Sequence, residues 1–203
     1  METLAEVLRG NILVHNHCYR ADEMAQMIDI AKEFGYKIRA FHHAVEVYKI
    51  ADLLKANDIG AAEWADWGGF KMEANDSIKA NLAITEALGA RAMIHSDSPL
   101  GAQRLNQEVA KAMYAGRAAG IPITEDQAIK WLTINPAWGL GLDDKIGSIE
   151  VGKNADVVLW SADPLSVYAR AVQVYNDGWL VYDRNDPAHQ PKMDFTLGQG
   201  EHP

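Results

Sequence analysis

The chain has 203 residues, with 19 Lys and Arg against 28 Asp and Glu, and a formal net charge of −9. This acidic balance argues against a nucleic-acid partner, which requires a basic face, and no apolar run reaches the roughly 18 residues of a membrane span. The first eleven residues lack the apolar region of a signal peptide, and the single cysteine, Cys18, cannot form an internal disulfide. We therefore expect a cytoplasmic globular protein without nucleic-acid or membrane partners.

The first hundred residues alternate short apolar runs with amphipathic stretches. Residues 1–10 predict a helix that leads into the first strand. Four strands are predicted, at residues 11–14, 37–41, 59–63 and 91–94. Helices are predicted between them, at residues 22–34, 45–55 and 77–88. Strand–helix units repeated in series are typical of a parallel sheet with crossover helices.

The pattern changes in the second half of the chain. Helices are predicted at residues 102–119 and 125–132, the second capped by Thr124. Short alternating strands follow at residues 148–150, 156–160, 172–176 and 179–182, and the tail 185–203 is predicted to be irregular. Asn176-Asp177-Gly178 is a hairpin turn signal. The chain is therefore divided into a βα region, residues 1–144, and a β-rich portion with its tail, residues 145–203.

Histidines cluster around the ends of three predicted strands. They are His15 and His17, His42 and His43, and His95, with Asp97 directly beyond the last. The carboxyl ends of parallel strands are where ligands and metals bind in such folds, and imidazole with carboxylate suits a zinc-like ion. A single histidine is more often structural, but five at equivalent positions favour a metal site.

A long motif in the second half resembles a known family. It comprises Asn135-Pro136-Ala137, the run GSIEVGKNADVVLW from Gly147, and VYNDGWLVYD from Val174. This pattern is similar to the C-terminal signature of the amidohydrolase superfamily, in its imidazolonepropionase-like and Xaa-Pro-dipeptidase-like branch. The resemblance extends over residues 11–184 but covers only the second half of that family's catalytic domain. It implies an α/β fold made of strands 5–8 of a metal-dependent hydrolase (β/α)₈ barrel, plus a small part of the accompanying β-sandwich.

The spacing of the histidines agrees with the second half of a barrel. His15 and His17 point to one face of a strand, and such a pair also opens the first strand of many hydrolase barrels. His15 and Asp97 are only 82 residues apart, whereas a whole barrel needs about 250 residues. His15 is therefore assigned to strand 5 and Asp97 to strand 8.

The resemblance implies roles for individual residues. His15 and His43 are the implied metal ligands of strands 5 and 6, and Asp97 binds the metal and accepts the proton of the attacking water. The implied cofactor is Zn²⁺ or another divalent ion. Three further residues are candidates for substrate binding: Arg20, His17 and Trp67. A solvated arginine at a helix start and plain loop packing of the tryptophan are the alternatives.

The chain departs from the family pattern at its beginning. The family also requires a His-x-His motif on strand 1 and a lysine on strand 4, and neither has a place here. We therefore expect a C-terminal half, in which a mononuclear site of His15, His43 and Asp97 is possible. The function implied is hydrolysis of a C–N bond in an amide, cyclic amide or dipeptide by metal-activated water, impaired in this chain. The alternative is a catalytically silent half-barrel that forms homo-oligomers or completes its fold with a missing N-terminal half.

Overall fold

A computed structural model describes residues 1–191 of the chain. The chain divides into two compact units, Met1–Ser148 and Ile149–Pro203; the boundary expected from sequence was residue 144. The part of the predicted irregular tail from residue 192 onward lies outside the described residues. Within the described part of the chain, no helix is both long enough and apolar enough to cross a membrane.

The first unit is built on a four-stranded parallel sheet whose strands follow chain order. They are β1 (Val14–Cys18), β2 (Ile38–His43), β3 (Gly60–Glu63) and β4 (Arg91–Ile94). Every neighbouring pair is parallel, so all four carboxyl ends lie at one edge of the sheet. The expected parallel βα arrangement is found.

Eight helices accompany the strands in the described part of the chain. They are α1 (Glu2–Arg9), α2 (Ala21–Phe34), α3 (Ala51–Ala56), α4 (Asn81–Ala87), α5 (Pro99–Ala102), α6 (Leu105–Ala118), α7 (Glu125–Lys130) and α8 (Ile134–Gly139). The Thr124 hydroxyl accepts from the Gln127 backbone N–H while the Gln127 side chain returns to Thr124. This capping box starts α7 where the sequence predicts it.

The sheet is apolar on both faces, as is usual for parallel strands. On one face, Phe41 of β2 and Ala61 of β3 are fully buried in a cluster with side chains of α2 and α3, among them Ile28 and Leu54. On the other face, a smaller buried cluster is formed by Ala40, Ala62 and Met93. Helix packing on the first face leaves the second face to position the histidines.

Several predicted elements differ from the structure. The first strand begins and ends later than expected and the second ends later, so that His15, His17, His42 and His43 lie within β1 and β2. Backbone pairing extends these strands through polar residues, which hydropathy alone does not recognise as strand. The helix expected at 45–55 is a 3-10 turn, Val47–Lys49, followed by α3. Here the Asn81 side chain accepts from the Tyr48 N–H and donates to the Ala44 carbonyl, which stabilises irregular backbone.

The second unit contains an antiparallel sheet of three strands. They are β5 (Val157–Trp160), β6 (Ala171–Asn176) and β7 (Trp179–Asp183), in that order. Asp177 and Gly178 have φ values of 50° and 82°, the left-handed conformation that the predicted two-residue hairpin turn requires. The strand expected at 148–150 does not form, because Gly147 and Gly152 beside it adopt left-handed φ values of 89° and 94°.

Candidate functional site

Histidine side chains from β1 and β2 meet at the carboxyl edge of the parallel sheet. Alternation along β1 puts His15 and His17 on the face opposite to Cys18, which packs in the helix-side cluster. His17 lies opposite His42 in the register of the two strands. The same alternation carries on to Tyr19, just beyond the strand.

His15 is held by hydrogen bonds at both ring nitrogens. Its Nε2 lies 3.0 Å from the Gly139 carbonyl oxygen, and its Nδ1 lies 2.8 Å from His42 Nε2. A carbonyl only accepts, so His15 donates from Nε2, and in the neutral ring its Nδ1 then accepts from His42. Burial, and then the neighbouring His15 and His17, lower the pKa of His42 to about 4. His42 is therefore neutral near pH 7.

His43 and His17 form the second contact between the strands. His17 Nδ1 lies 2.8 Å from His43 Nε2, while the buried Nδ1 of His43 has no hydrogen-bond partner among residues 1–191. His43 ends β2 in a left-handed conformation with φ of 70°, which is costly for a residue other than glycine. Burial, and then the nearby His17, lower the pKa of His43, so its ring is uncharged and able to bind a cation.

His95 directly follows β4 and Trp64 directly follows β3. Both rings pack beside the ring of His43. Their rings stack with centroids 5.0 Å apart and planes 19° apart. His95 Nε2 and Trp64 Nε1 are buried and have no hydrogen-bond partner in the described residues. Burial, followed by the proximity of His43 and His42, lowers the pKa of His95 to about 3. His95 therefore stays neutral throughout the physiological range.

Beside these rings lies a cavity of about 570 Å³, which we call the aromatic chamber. Its lining residues are Tyr19, Trp64, Asp66, Trp67, Gly68, Phe70, Lys71 and Asp97. The loop after β3 supplies most of them and is anchored by two ion pairs, Asp66–Lys111 at 2.8 Å and Asp76–Lys49 at 2.7 Å. The chamber is therefore bounded by a tethered loop.

Some of the predicted site residues line the aromatic chamber, whereas Arg20 does not. Asp97 is exposed and lines the aromatic chamber together with Trp67. Arg20 is exposed, donates to Asp22 from both Nε and Nη2, and is not among the chamber's lining residues. Asp22 thus orients the Arg20 guanidinium outside the chamber.

Sequence reasoning missed four residues of the chamber: Tyr19, Asp66, Phe70 and Lys71. Tyr19 lies two residues after His17, so the alternation of a strand puts its side chain on the same face as those of His15 and His17. This period of two could have indicated Tyr19. Asp66, Phe70 and Lys71 lie in an irregular loop, where no periodic signal exists.

The donor chemistry of the site fits a divalent cation such as zinc. The imidazoles of His17 and His43 touch, the His43 ring has a nitrogen without a hydrogen-bond partner in the described residues, and a carboxylate lines the adjoining chamber. Imidazole and carboxylate are ligand types that zinc prefers. Within residues 1–191, however, no three His, Cys, Asp or Glu side chains are grouped so that they could hold a metal ion. The pair of His17 and His43 therefore offers two donors, fewer than the three protein ligands that a catalytic zinc ion commonly has.

Comparison with known proteins relates most of the chain to one family. The model of the amidohydrolase family matches residues 2–182. Amidohydrolase tasK of Hapsidospora irregularis is 34% identical over 187 residues, which are 90% of this chain and 18% of that protein. Imidazolonepropionase of Fusobacterium nucleatum is 26% identical over 199 residues, which are 86% of this chain and 48% of that enzyme. Both relatives are hydrolases that act on C–N bonds.

A solved structure shows the same relationship. The crystal structure of an amidohydrolase from Thermotoga maritima matches with a TM-score of 0.80 at 34% sequence identity. The match covers 90% of this chain and 46% of that protein. The chain thus spans about half the length of the Thermotoga maritima amidohydrolase and of the imidazolonepropionase, and a smaller share of tasK.

Proposed function

Because the chain belongs to the amidohydrolase family, we propose that it serves the metal-dependent hydrolysis of a C–N bond in a small amide, cyclic amide or dipeptide. The observation that carries the proposal is the contact of His17 with His43 at the carboxyl edge of the sheet, beside a chamber that Asp97 lines. Members of this family typically bind divalent metals. In the proposal, β1–β4 correspond to strands 5–8 of the family's barrel.

The proposed metal ligands come from β1, β2 and the loop after β4. His43 and Asp97 keep the roles that the resemblance implies. The sequence favours His15 as the β1 ligand, but both of its nitrogens are engaged, by His42 and by the Gly139 carbonyl. His17 faces His43 directly, so the geometry favours His17. Zn²⁺ or another divalent ion bound there would polarise the substrate carbonyl and activate water.

The chain's own groups would handle the proton and exclude bulk water. The Asp97 carboxylate would accept the proton of the attacking water and deliver it to the leaving nitrogen, as a general base and then a general acid. The neutral rings of His42 and His95 add no positive charge that would repel a cation. Trp64, packed against His43 and His95, covers this part of the site.

A second function has support from the same structure. In the described residues, β1 and β4 are the two edges of the parallel sheet, and no three-donor metal group is assembled. Strand edges of this kind are available for pairing with another chain. The alternative is therefore a catalytically silent half-barrel that assembles with a second copy or with an N-terminal half, from which further metal donors would come.

Metal content and mass together test the two proposals. The chain is loaded with Zn²⁺, its mass is measured by light scattering after size exclusion, and bound metal is measured by elemental analysis. One ion per chain, lost in His43→Ala and Asp97→Ala, supports the hydrolase site, and turnover of a panel of amides and dipeptides would establish the activity. A metal-free dimer supports the assembly role. Undiminished metal in both variants contradicts the proposed ligands.

A further inference from the structure

Four of the eight residues that line the aromatic chamber have aromatic side chains. The ring centroid of Trp64 lies 6.0 Å from those of Tyr19 and Trp67, and 5.7 Å from that of Phe70. The Phe70 ring meets Trp64 edge-on at 71°, whereas Trp67 is tilted by 31°. Rings in such varied orientations offer both faces and edges to a flat group that enters between them.

The chamber also contains an unneutralised cation. The Lys71 ammonium lies 3.7 Å from the centroid of the Tyr19 ring, and it forms no ion pair with a carboxylate in the described residues. A cation–π contact holds the ammonium at the wall without cancelling its charge. Lys71 also occupies the aromatic face that a cationic ligand would otherwise use.

The two carboxylates of the lining do not compensate for Lys71. In the described residues neither forms an ion pair with Lys71: Asp66 is paired instead with Lys111 at 2.8 Å, an ammonium that Glu108 also contacts at 2.9 Å, and Asp97 is assigned to the metal in the proposed function. The part of the chamber between Tyr19 and Phe70 is therefore apolar with one positive charge. This combination selects for ligands that unite an aromatic ring with a negative charge.

We infer that the aromatic chamber binds an aromatic group of the substrate that carries a carboxylate, with its ring among Trp64, Trp67 and Phe70 and its carboxylate on the Lys71 ammonium. The inference rests on the proposed function in treating this ligand as part of a substrate, and it adds the chemical class. Neutral aromatic groups bind less tightly because they leave the ammonium without a counter-charge. Cationic aromatic groups are rejected by Lys71.

The wall that carries Lys71 is held in place before any ligand binds. Gly68 packs so closely on Ser77 that a Cβ atom at Gly68 would lie 2.3 Å from the Ser77 Cβ. The ion pairs of Asp66 and Asp76 fix the loop to α6 and to the Val47–Lys49 turn. Little ordering is therefore required on binding, which favours measurable affinity for small probes.

Three probes with the same ring and different charge test the inference: phenylacetate, phenylacetamide and phenethylamine. Their affinities are measured without metal on the Asp97→Asn chain, in which position 97 contributes no negative charge to the chamber, by calorimetry and by tryptophan fluorescence, which Trp64 and Trp67 report. We expect phenylacetate to bind about tenfold more tightly than phenylacetamide, the contribution of one charge-assisted hydrogen bond, and phenethylamine to bind most weakly. The measurement needs neither metal nor turnover, so its outcome is separate from that of the hydrolase proposal.

Variants assign the preference to its residues. Lys71→Gln should make phenylacetate and phenylacetamide bind equally, and Lys71→Arg should keep the preference. Lys79→Gln, at another exposed lysine before α4, serves as the control and should bind like the parent chain. Phe70→Ala should weaken all three probes by a similar factor, about threefold. Equal affinities for the three probes, no binding, or an unchanged preference in Lys71→Gln would overturn the inference.

Discussion

The Nδ1 atom of His17 lies 2.8 Å from Nε2 of His43, on the neighbouring strand. One ring must donate and the other accept for this contact to be favourable, so the two nitrogens share a single proton. A cation that both nitrogens bind would replace that proton. The contact therefore marks the place at the sheet edge where two strands already present their donors to one point.

Alanine substitution of the histidines should separate the two possible β1 ligands. We expect His17→Ala and His43→Ala each to weaken zinc binding by at least about 100-fold, and His15→Ala by only about tenfold, the size typical of residues that support a ligand. The reason is that the nitrogens of His15 are engaged by His42 and the Gly139 carbonyl. Competition with a zinc-binding dye measures the affinities.

The control for this series is His189→Ala, because His189 bonds to Asp186 in the second unit and should leave zinc affinity unchanged. A larger loss in His15→Ala than in His17→Ala would instead favour the ligand set expected from sequence. Thermal unfolding of each variant shows whether the fold is retained.

Local sequence patterns predicted the parallel sheet well where strands are apolar. The strand at 91–94 has the bounds that were expected, because Ala92, Met93 and Ile94 are apolar and Gly89 closes the preceding helix. The first strand was placed too early, since its real residues include His15, Asn16 and His17. Hydropathy does not register a strand whose side chains serve a polar site.

The pairing of the histidines depends on relationships that no local pattern contains. The register between β1 and β2 shifts between Val14 and His15, and this shift decides which imidazoles face each other. Similarly, Lys71 reaches Tyr19 from an irregular loop. The residue types of the site were therefore predictable from the sequence, whereas the contacts among them required the fold.

The stacking of Arg39 on Trp138 should make Arg39→Lys destabilising. The Arg39 guanidinium carbon lies 3.4 Å from the Trp138 ring centroid, and its Nε and Nη2 both donate to the Trp138 carbonyl. Lysine cannot reproduce a planar stack with two donors, so we expect a loss of about 1–3 kcal/mol in the free energy of unfolding. Urea denaturation measures it.

Exposed Arg104 provides the matched control for that substitution. Arg104→Lys should stay within about 0.5 kcal/mol of the parent chain, as surface substitutions usually do. If Arg39→Lys changes the free energy of unfolding as little as Arg104→Lys does, the stack on Trp138 contributes nothing to stability.

Gly116 allows α6 to approach α4 closely, so Gly116→Ala should destabilise the chain. A Cβ at Gly116 would lie 2.3 Å from the Cβ of Ala83. Alanine is the better helix former by about 1 kcal/mol, yet we expect a net loss of about 1–3 kcal/mol from overpacking. Unfolding free energies of Gly116→Ala, Ala83→Gly and the double variant form a cycle, in which Ala83→Gly should rescue Gly116→Ala. Simple additivity of the two losses would contradict the proposed clash.

Glu63 should make stability fall as the pH rises. Its side chain is fully buried at the end of β3, and burial raises its pKa well above the ordinary value, with the Thr85 hydroxyl opposing the rise. The folded state therefore holds a proton that the unfolded chain releases near pH 4.5. Above that pH the unfolded state binds fewer protons, so the free energy of unfolding decreases by up to about 1.4 kcal/mol per pH unit until Glu63 ionises in the folded state.

Glu63→Gln removes this proton and with it the slope. Urea unfolding at several pH values between about 5 and 8 should show the advantage of Glu63→Gln over the parent chain growing with pH. Glu33→Gln, at an exposed carboxylate of α2, should leave the parent's slope intact, because Glu33 is solvated in both states. Parallel curves for Glu63→Gln and the parent chain would mean that the Glu63 carboxyl group binds protons equally in the folded and unfolded states, contrary to what its burial requires.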